Sequence, residues 1–407
     1  MTAPRQWLDV VGIGEDGFAG LSKSARNALE KAEIIIGGDR HHALAPHLQA
    51  KRLRWSRPFS TMISEMATFK QHGRTALLVT GDPLWYSAGA KLLNKIPWNE
   101  MQFHPQFSAF QLACTRMGWS LADIDTLTAH GRPIERVIPY FRHHARLAVL
   151  TGGATAPHEA ACLLVKNGFG RSRMTVLANL GGPQEKRLEG GARDWTESDP
   201  SGTIPPFHTL CIECVADDAA NPLPRGPGLP DTAFETDGNF TKQDLRAITL
   251  CMLAPHRGAL LWDIGTGCGT VAIEWMRVRR DCRAIGIDHN SNRLEMAKRN
   301  ALRLGAPMLE LIEGKAPEAL KDLPPPDAIF IGGGINRKIA EICLASLRPH
   351  GRLVANAVTT ESEAILAELH AEHQGALARI AVSHAKPLGS GRSWRSQMTI
   401  TQWRCFR

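Results

Sequence analysis

The stretch LLWDIGTGCGTVAIEW, residues 260–275, decides how the chain is read. An apolar run carrying Asp263 meets a turn built on Gly265, Gly267 and Gly269, and TVAIEW continues as a helical pattern. A strand, a glycine turn and a helix start together make the ligand cradle of many α/β enzymes. Its position is informative too. A cradle that begins at residue 260 leaves the first half of a 407-residue chain to something else.

Two cofactors compete for this turn. Gly267, Gly269 and Ala272 fit the dinucleotide fingerprint G-x-G-x-x-[GA], and Asp288 follows Gly269 by 19 residues, near the usual ribose acid. Asp263, Gly265, Gly267 and Gly269 also fit the D-x-G-x-G-x-G turn of enzymes that use S-adenosylmethionine (SAM). Charge separates the two. A pyrophosphate wants amide donors and no anion beside it, which makes Asp263 a poor neighbour. SAM carries a sulfonium and an ammonium, which a carboxylate attracts, and Asp288 suits ribose hydroxyls in either case. The plainer reading of Asp263 is an acid at a helix N-terminus. Downstream, EGKAPEAL (313–320) follows the third strand-like run, and DAIFIGGG (327–334) ends the fourth at the edge where ligands bind. SAM is favoured. An NAD-dependent oxidoreductase is the rival enzyme, and a SAM-binding sensor with one inactive domain is the rival without activity.

The totals narrow the field further. An apolar fraction of 43% with 22% charged residues excludes a disordered chain. No stretch reaches the ~18 apolar residues of a membrane span, and MTAPRQWLDVVGIG lacks the apolar core of a leader, so the cytoplasm is expected. Nine scattered cysteines, an odd number, read as reduced thiols. The CIEC pair, Cys211 and Cys214, stands alone, and no metal is expected. The net charge of +8 is dispersed and aromatics make up only 6%. Nucleic acid is therefore not expected as a partner, and a compact anionic substrate fits better. No HExxH, GxSxG or Cys-His motif signals a metal or an activated nucleophile.

So long a chain predicts two domains. ADDAANPLPRGPGLPDTAF (216–234) is rich in Pro and Gly and lacks periodicity, which divides the chain into 1–215, a linker at 216–230, and 231–407. Before it, WLDVVGIG, AEIIIGG, TALLVTG, LAVLTGG, RMTVLANLGG and HTLCIECVA read as strands. After it, strands and helices alternate, and SNRLEMAKRNALRLG (291–305) is a helix capped by Asn290 or Ser291. This rhythm predicts an α/β protein whose second domain is a doubly wound parallel sheet.

In order, TKQDLRAITL, DIGTGCGTVAIEW, GIDHN, GKAPEAL, FIGGG and GRLVANAVTTES make 235–407 resemble the decarboxylating precorrin methyltransferases of the CbiT type. The resemblance implies a Rossmann-like class I SAM methyltransferase domain. It also implies SAM contacts at Thr241, Asp263, Gly265, Thr266, Gly267, Cys268 and Gly269, with Asp288 on the ribose and Gly314, Lys315 and Ala316 at the adenine.

The first half has its own landmarks. VVGIGEDG (10–17) offers a second G-x-G-x-x-G, but Glu15 and Asp16 inside it would repel a pyrophosphate. LLVTGDPLWYSAGAKLL (77–93) is a strand, a Gly-Asp-Pro turn and a helix-like segment. With PQFSAFQLACTRMG and TAHGR, these motifs make 6–215 resemble the tetrapyrrole methylases, most nearly the CbiE branch. That resemblance implies two α/β subdomains with SAM in the trough between them, held by Gly81, Asp82 and Pro83. The first glycine loop is expected on the tetrapyrrole side. Glu15 departs from the family's usual Pro, and Phe107 from its usual Ser. His130 and Arg132 are the candidate catalytic pair, an imidazole and a fixed cation beside an anionic substrate. The alternative is a structural loop. The clusters GGDRHH (37–42) and FRHHAR (141–146) could grip carboxylates, with a solvated basic face as the plainer reading.

Together the resemblances imply SAM-dependent methylation of precorrin-6B at carbons 5 and 15, with decarboxylation of the ring C acetate, giving precorrin-8 in cobalamin biosynthesis. They imply two SAM sites, one per domain, an anionic tetrapyrrole substrate and a homo-oligomer.

Overall fold

The computed structural model describes residues 6–56 and 58–407. The chain divides into two compact units, one formed by residues up to 220 apart from 135–139, the other by 135–139 and 221–407. Each is α/β.

The first unit holds two five-stranded sheets. In chain order, β1 (Leu8–Ile13), α1 (Lys23–Glu30), β2 (Ile34–Gly37), α2 (Asp39–Ala43), β3 (Lys51–Arg54), α3 (Phe59–Glu65), β4 (Thr75–Thr80), α4 (Ala88–Leu92) and β5 (Met101–His104) build the first. All its strands are parallel, in the order β3-β2-β4-β1-β5. β1 is buried along its whole length, as expected of a parallel strand covered on both faces. Ala25 and Leu29 of α1 pack with Val11, Ile13 and Leu78 on one face. Ala88 and Leu92 of α4 pack with Val10, Leu77 and Val79 on the other. The helices that follow β1 and β4 thus leave on opposite faces, which opens a crevice at the carboxyl ends of these two strands.

The second sheet follows α5 (Ala109–Met117) and contains β6 (Asp125–Thr128), β7 (Arg146–Leu150), β8 (Arg173–Ala178), β9 (Lys186–Gly191) and β10 (His208–Glu213), with α6 (Ala156–Lys166) and α7 (Ala192–Glu197). Its order is β6-β7-β10-β8-β9, mostly antiparallel. Ser108 caps α5 by accepting from the Gln111 N–H while Gln111 accepts from the Ser108 N–H, a reciprocal capping box.

The second unit runs α8 (Gln243–Leu253), β11 (Leu260–Ile264), α9 (Thr270–Val278), β12 (Arg283–Asp288), α10 (Ser291–Arg303), β13 (Glu310–Glu313), β14 (Ala328–Ile331), α11 (Arg337–Ser346), β15 (Arg352–Ala357), α12 (Thr360–His373), β16 (Ala376–Ile380), a hairpin of β17 (Ser383–Leu388) and β18 (Gly391–Ser396), and β19 (Ile400–Phe406). The seven-stranded sheet has the order β13-β12-β11-β14-β15-β19-β16. Helices α11 and α12 pack on the face carrying Trp262 and Ile264. Helices α8 and α9 cover Leu261 and Phe330 on the other. The doubly wound core is therefore as expected, with one correction: β19 runs antiparallel to both its neighbours, so the sheet is mixed. Asn290 caps α10, its Oδ1 accepting from the N–H groups of Asn292 and Arg293. Among the described residues no helix is long and apolar enough to cross a membrane.

Candidate functional sites

In the second unit the carboxyl ends of β11 and β14 flank the point where the strand order reverses. The loop 265–269 leaves β11 there, and Gly332–Gly334 leaves β14. Gly265, Gly267 and Gly269 have φ of 72°, 55° and 84°, the left-handed region that side chains disfavour. A Cβ on Gly269 would sit 3.0 Å from the Ala297 Cβ of α10, so this glycine also lets two helices approach.

Asp263 is wholly buried beneath the turn. Its Oδ2 accepts from the Thr266 hydroxyl at 2.8 Å and the Ala272 N–H at 3.1 Å. Oδ1 has no hydrogen-bond partner. Burial, with Asp288 nearby, pushes the carboxyl up to about 6. The side chain fastens the turn to the start of α9, close to the plainer alternative, through Oδ2 alone. Thr266 and Cys268 are likewise turned inward and buried, so contact from these positions is left to their backbone.

Asp288 ends β12 at the same edge. Its Oδ2 accepts from the Gly267 N–H and its Oδ1 from the Asn290 N–H, both at 2.9 Å. Each oxygen keeps a further lone pair for a hydroxyl. Gly314 follows β13 and donates its N–H to the Asp288 carbonyl at 3.0 Å. Lys315 is exposed, and Ala316 is partly buried against the core. The structure therefore brings the 265–269 turn, Asp288 and Gly314 to one edge.

Thr241 is held by residues that sequence reading missed. Arg246 and Glu274 have fully buried side chains and pair at 2.5 Å. Arg246 also donates to the carbonyls of Thr241, at 2.6 Å, and Leu229, and reaches Asp231 at 3.2 Å. Glu274 accepts from the Gly228 and Leu229 N–H groups at 2.6 and 3.0 Å. Buried Asn300 donates to the carbonyls of both Glu235 and Cys268. Segment 228–241 is therefore strapped down beside the glycine turn; the Asn239 carbonyl lies 3.7 Å from where a Gly267 Cβ would be. The available signal was a charge set inside an apolar helical run, as in TVAIEWM, which demands a buried partner.

In the first unit, Gly12 and Gly81 face each other across the β1–β4 crevice. A Cβ on Gly12 would lie 1.9 Å from the Gly81 carbonyl oxygen, so this approach requires glycine. Gly81 has φ 64°, and Asp82 steadies the turn by accepting from the Leu84 N–H at 2.7 Å. Pro83 is buried. The segment after it forms only the short α4, because Leu84, Trp85 and Tyr86 stay irregular and exposed. Arg40, from GGDRHH, pairs with Glu15 and donates to the Thr80 hydroxyl. His41 is buried, and desolvation, then Arg40, push it down to about 3; it is a neutral ring. The solvated-face reading of this cluster is corrected for Arg40 and His41. His130 and Arg132 lie on the loop after β6, in the other sheet from Gly81–Pro83, and both are exposed. His130 Nδ1 is 3.2 Å from the Thr151 carbonyl.

All nine cysteines are free, and burial pushes the Cys211 and Cys214 thiols up to about 12. Among the described residues no cluster of His, Cys, Asp or Glu is placed to hold a metal ion.

Two family models match the chain: the tetrapyrrole (corrin/porphyrin) methylases over residues 8–195 and the precorrin methyltransferase domain over 232–407. A precorrin-6Y C(5,15)-methyltransferase [decarboxylating] from a Sinorhizobium species is 41% identical over 98% of this chain and 95% of its own. One of the same name from Mycobacterium tuberculosis is 36% identical over 97% and 98%. The crystallised C-terminal domain of a precorrin-6Y C5,15-methyltransferase from Rhodobacter capsulatus is 45% identical, covering 45% of this chain and 99% of that one, with a TM-score of 0.43.

Proposed function

The chain belongs to the decarboxylating precorrin-6Y C(5,15)-methyltransferases, and on that premise we propose how its two units divide the work. The first methylates carbon 5 of the precorrin, and the second methylates carbon 15 and removes the ring C acetate as carbon dioxide, giving precorrin-8 in cobalamin biosynthesis. Each unit holds its own SAM. Gly81, Asp82 and Pro83 serve the first site. Thr241, the 265–269 backbone, Asp288 and the 314–316 loop serve the second. The enzyme works in the cytoplasm as a homo-oligomer, with no nucleic-acid or membrane partner.

The observation that carries this reading is the Gly267 N–H bound to Asp288. Asp288 ends β12 with a lone pair left on each oxygen for ribose hydroxyls, at the same edge as the glycine turn and Gly314. SAM brings no phosphate, only ribose hydroxyls that a carboxylate can accept. SAM supplies an electrophilic methyl group; the protein's part is to set the ring carbon in line with it and keep water out. Excess Lys and Arg suits a substrate bearing several carboxylates. His130 and Arg132, both exposed on the loop after β6, are the imidazole and fixed cation proposed to meet the anionic substrate in the first unit.

Incubation of the full chain with precorrin-6B and SAM, read by mass spectrometry, tests the proposal. A gain of two methyl groups with loss of carbon dioxide is expected, and titration calorimetry should count two SAM equivalents. Product lacking the carbon dioxide loss, or a single SAM equivalent with substrate present, defeats it.

A further inference from the structure

The Glu15–Arg40 pair has no part in the function above, yet it stands at the mouth of the β1–β4 crevice. Glu15 lies in the loop after β1, and Arg40 comes from α2. Thr80, which accepts from Arg40 Nη2 at 2.5 Å, ends β4 immediately before Gly81. The His41 Nε2 meets the same hydroxyl at 2.9 Å. The cluster also touches the second sheet's side of the unit. The Arg40 guanidinium carbon lies 4.0 Å from the Phe207 ring centroid, and a Cβ on Gly182 would meet the Glu15 Cβ at 2.6 Å. The side chains of Arg40 and Glu15 are 33% and 17% exposed. The cation is therefore withdrawn from bulk water but still open at the mouth.

Such a cation needs a partner at all times, because a half-buried charge left alone is costly. It is also a planar fork suited to gripping a carboxylate through two parallel hydrogen bonds. We infer that Arg40 anchors a peripheral carboxylate of the tetrapyrrole in the first unit, and that Glu15 is its internal stand-in, displaced when that acetate or propionate arrives. The inference rests on the first unit being a precorrin methylase. One anion replaces another, so Arg40 stays paired throughout, and Glu15 weakens substrate binding by competing for it.

The test uses the full chain with precorrin-6B and SAM, reading carbon 5 methylation by mass spectrometry. Carbon 15 methylation with decarboxylation, performed by the other unit, is the internal reference. Glu15→Gln should lower the KM for tetrapyrrole in carbon 5 methylation several-fold, with kcat within about twofold. Arg40→Gln should raise that KM by about tenfold or more, Arg40→Lys should recover part of it, and the carbon 15 reaction should not change. A static structural pair would behave differently: Glu15→Gln would leave KM unchanged or raise it, or would lower kcat and thermal stability together, and any of these results overturns the proposal. If Arg40→Gln does not fold, the direction of the KM change in Glu15→Gln decides alone. Carbon 5 methylation with unchanged KM in Arg40→Gln overturns this inference only. A wild-type chain that never methylates carbon 5 overturns the parent reading, and this one with it.

Discussion

Removing Glu274 should loosen the second unit and its cofactor edge together. In Glu274→Ala, Arg246 keeps Asp231, the carbonyls of Thr241 and Leu229 and the Phe234 ring but loses its fully buried anion, and the Gly228 and Leu229 N–H groups lose their acceptor. Breaking a buried pair from one side costs about 3–5 kcal/mol, a large share of the ~5–15 kcal/mol that holds a typical domain. Burial raises the Glu274 carboxyl above its ordinary value even with Arg246 beside it; desolvation outweighs attraction. Replacing both members of a buried pair is often close to neutral, so removing both partners should cost much less than the sum of the single losses. A double-mutant cycle of Glu274→Ala, Arg246→Met and the combined variant should show a coupling of about 2 kcal/mol or more. Two-state analysis does not suit a chain of two units. Hydrogen exchange by mass spectrometry under native conditions reads the opening of 228–241 and α9 directly. SAM affinity at the second site should fall in both single variants, because Arg246→Met frees the Thr241 carbonyl and Glu274→Ala frees the Gly228 and Leu229 amides of the same segment. Additive costs, or faster exchange in 228–241 without loss of SAM affinity, would refute the reasoning.

Three further perturbations separate the two sites. Gly12→Ala sets a Cβ against the Gly81 carbonyl and should abolish carbon 5 methylation while the carbon 15 product still forms; doubly methylated product at the wild-type rate would contradict the crevice geometry. Asp288→Ala removes the acceptor of the Gly267 N–H and should weaken one of the two SAM binding events by about tenfold or more in calorimetry; two unchanged events would exclude the assigned role. Asp263 titrates near 6 in the fold against an ordinary 3.8, so the folded state holds the proton more tightly. Its contribution favours folding below about pH 4 and is lost as pH rises through about 6. Asp263→Asn should flatten that part of the dependence of thermal stability on pH, and an unchanged slope would place the titration elsewhere.

What was legible in the sequence follows from how each residue signals. Buried parallel strands such as β1 and β11 are continuous apolar runs, and the glycines of the 265–269 turn stand where the backbone needs positive φ. Edge strands carry no such signal. KRLR of β3 and KRLEGG of β9 are polar because one side meets water, and the β17–β18 hairpin was missed for the same reason. Asp263 was recognised as important, but spacing cannot tell a carboxylate that faces a ligand from one that faces the amide of Ala272. The strap made by Arg246, Glu274 and Asn300 signals itself only through the charge inside TVAIEWM; its partners cannot be read because they lie far apart in the chain and most of its bonds go to backbone.

The place of β19 bears on how the second unit is made. Residues 400–406 lie between β15 and β16 in the sheet, although they are synthesised after both. Until they leave the ribosome, β15 presents an open edge and β16 has no neighbour to join. The glycine turn and Asp288 can form early, from contacts close in sequence, but the sheet behind them closes only when this strand inserts antiparallel into the gap. Pairing between segments distant in sequence is slow, so the nascent second unit should pass through a stage with its glycine turn shaped and a β edge exposed. Chaperone demand and aggregation during expression should concentrate in that interval.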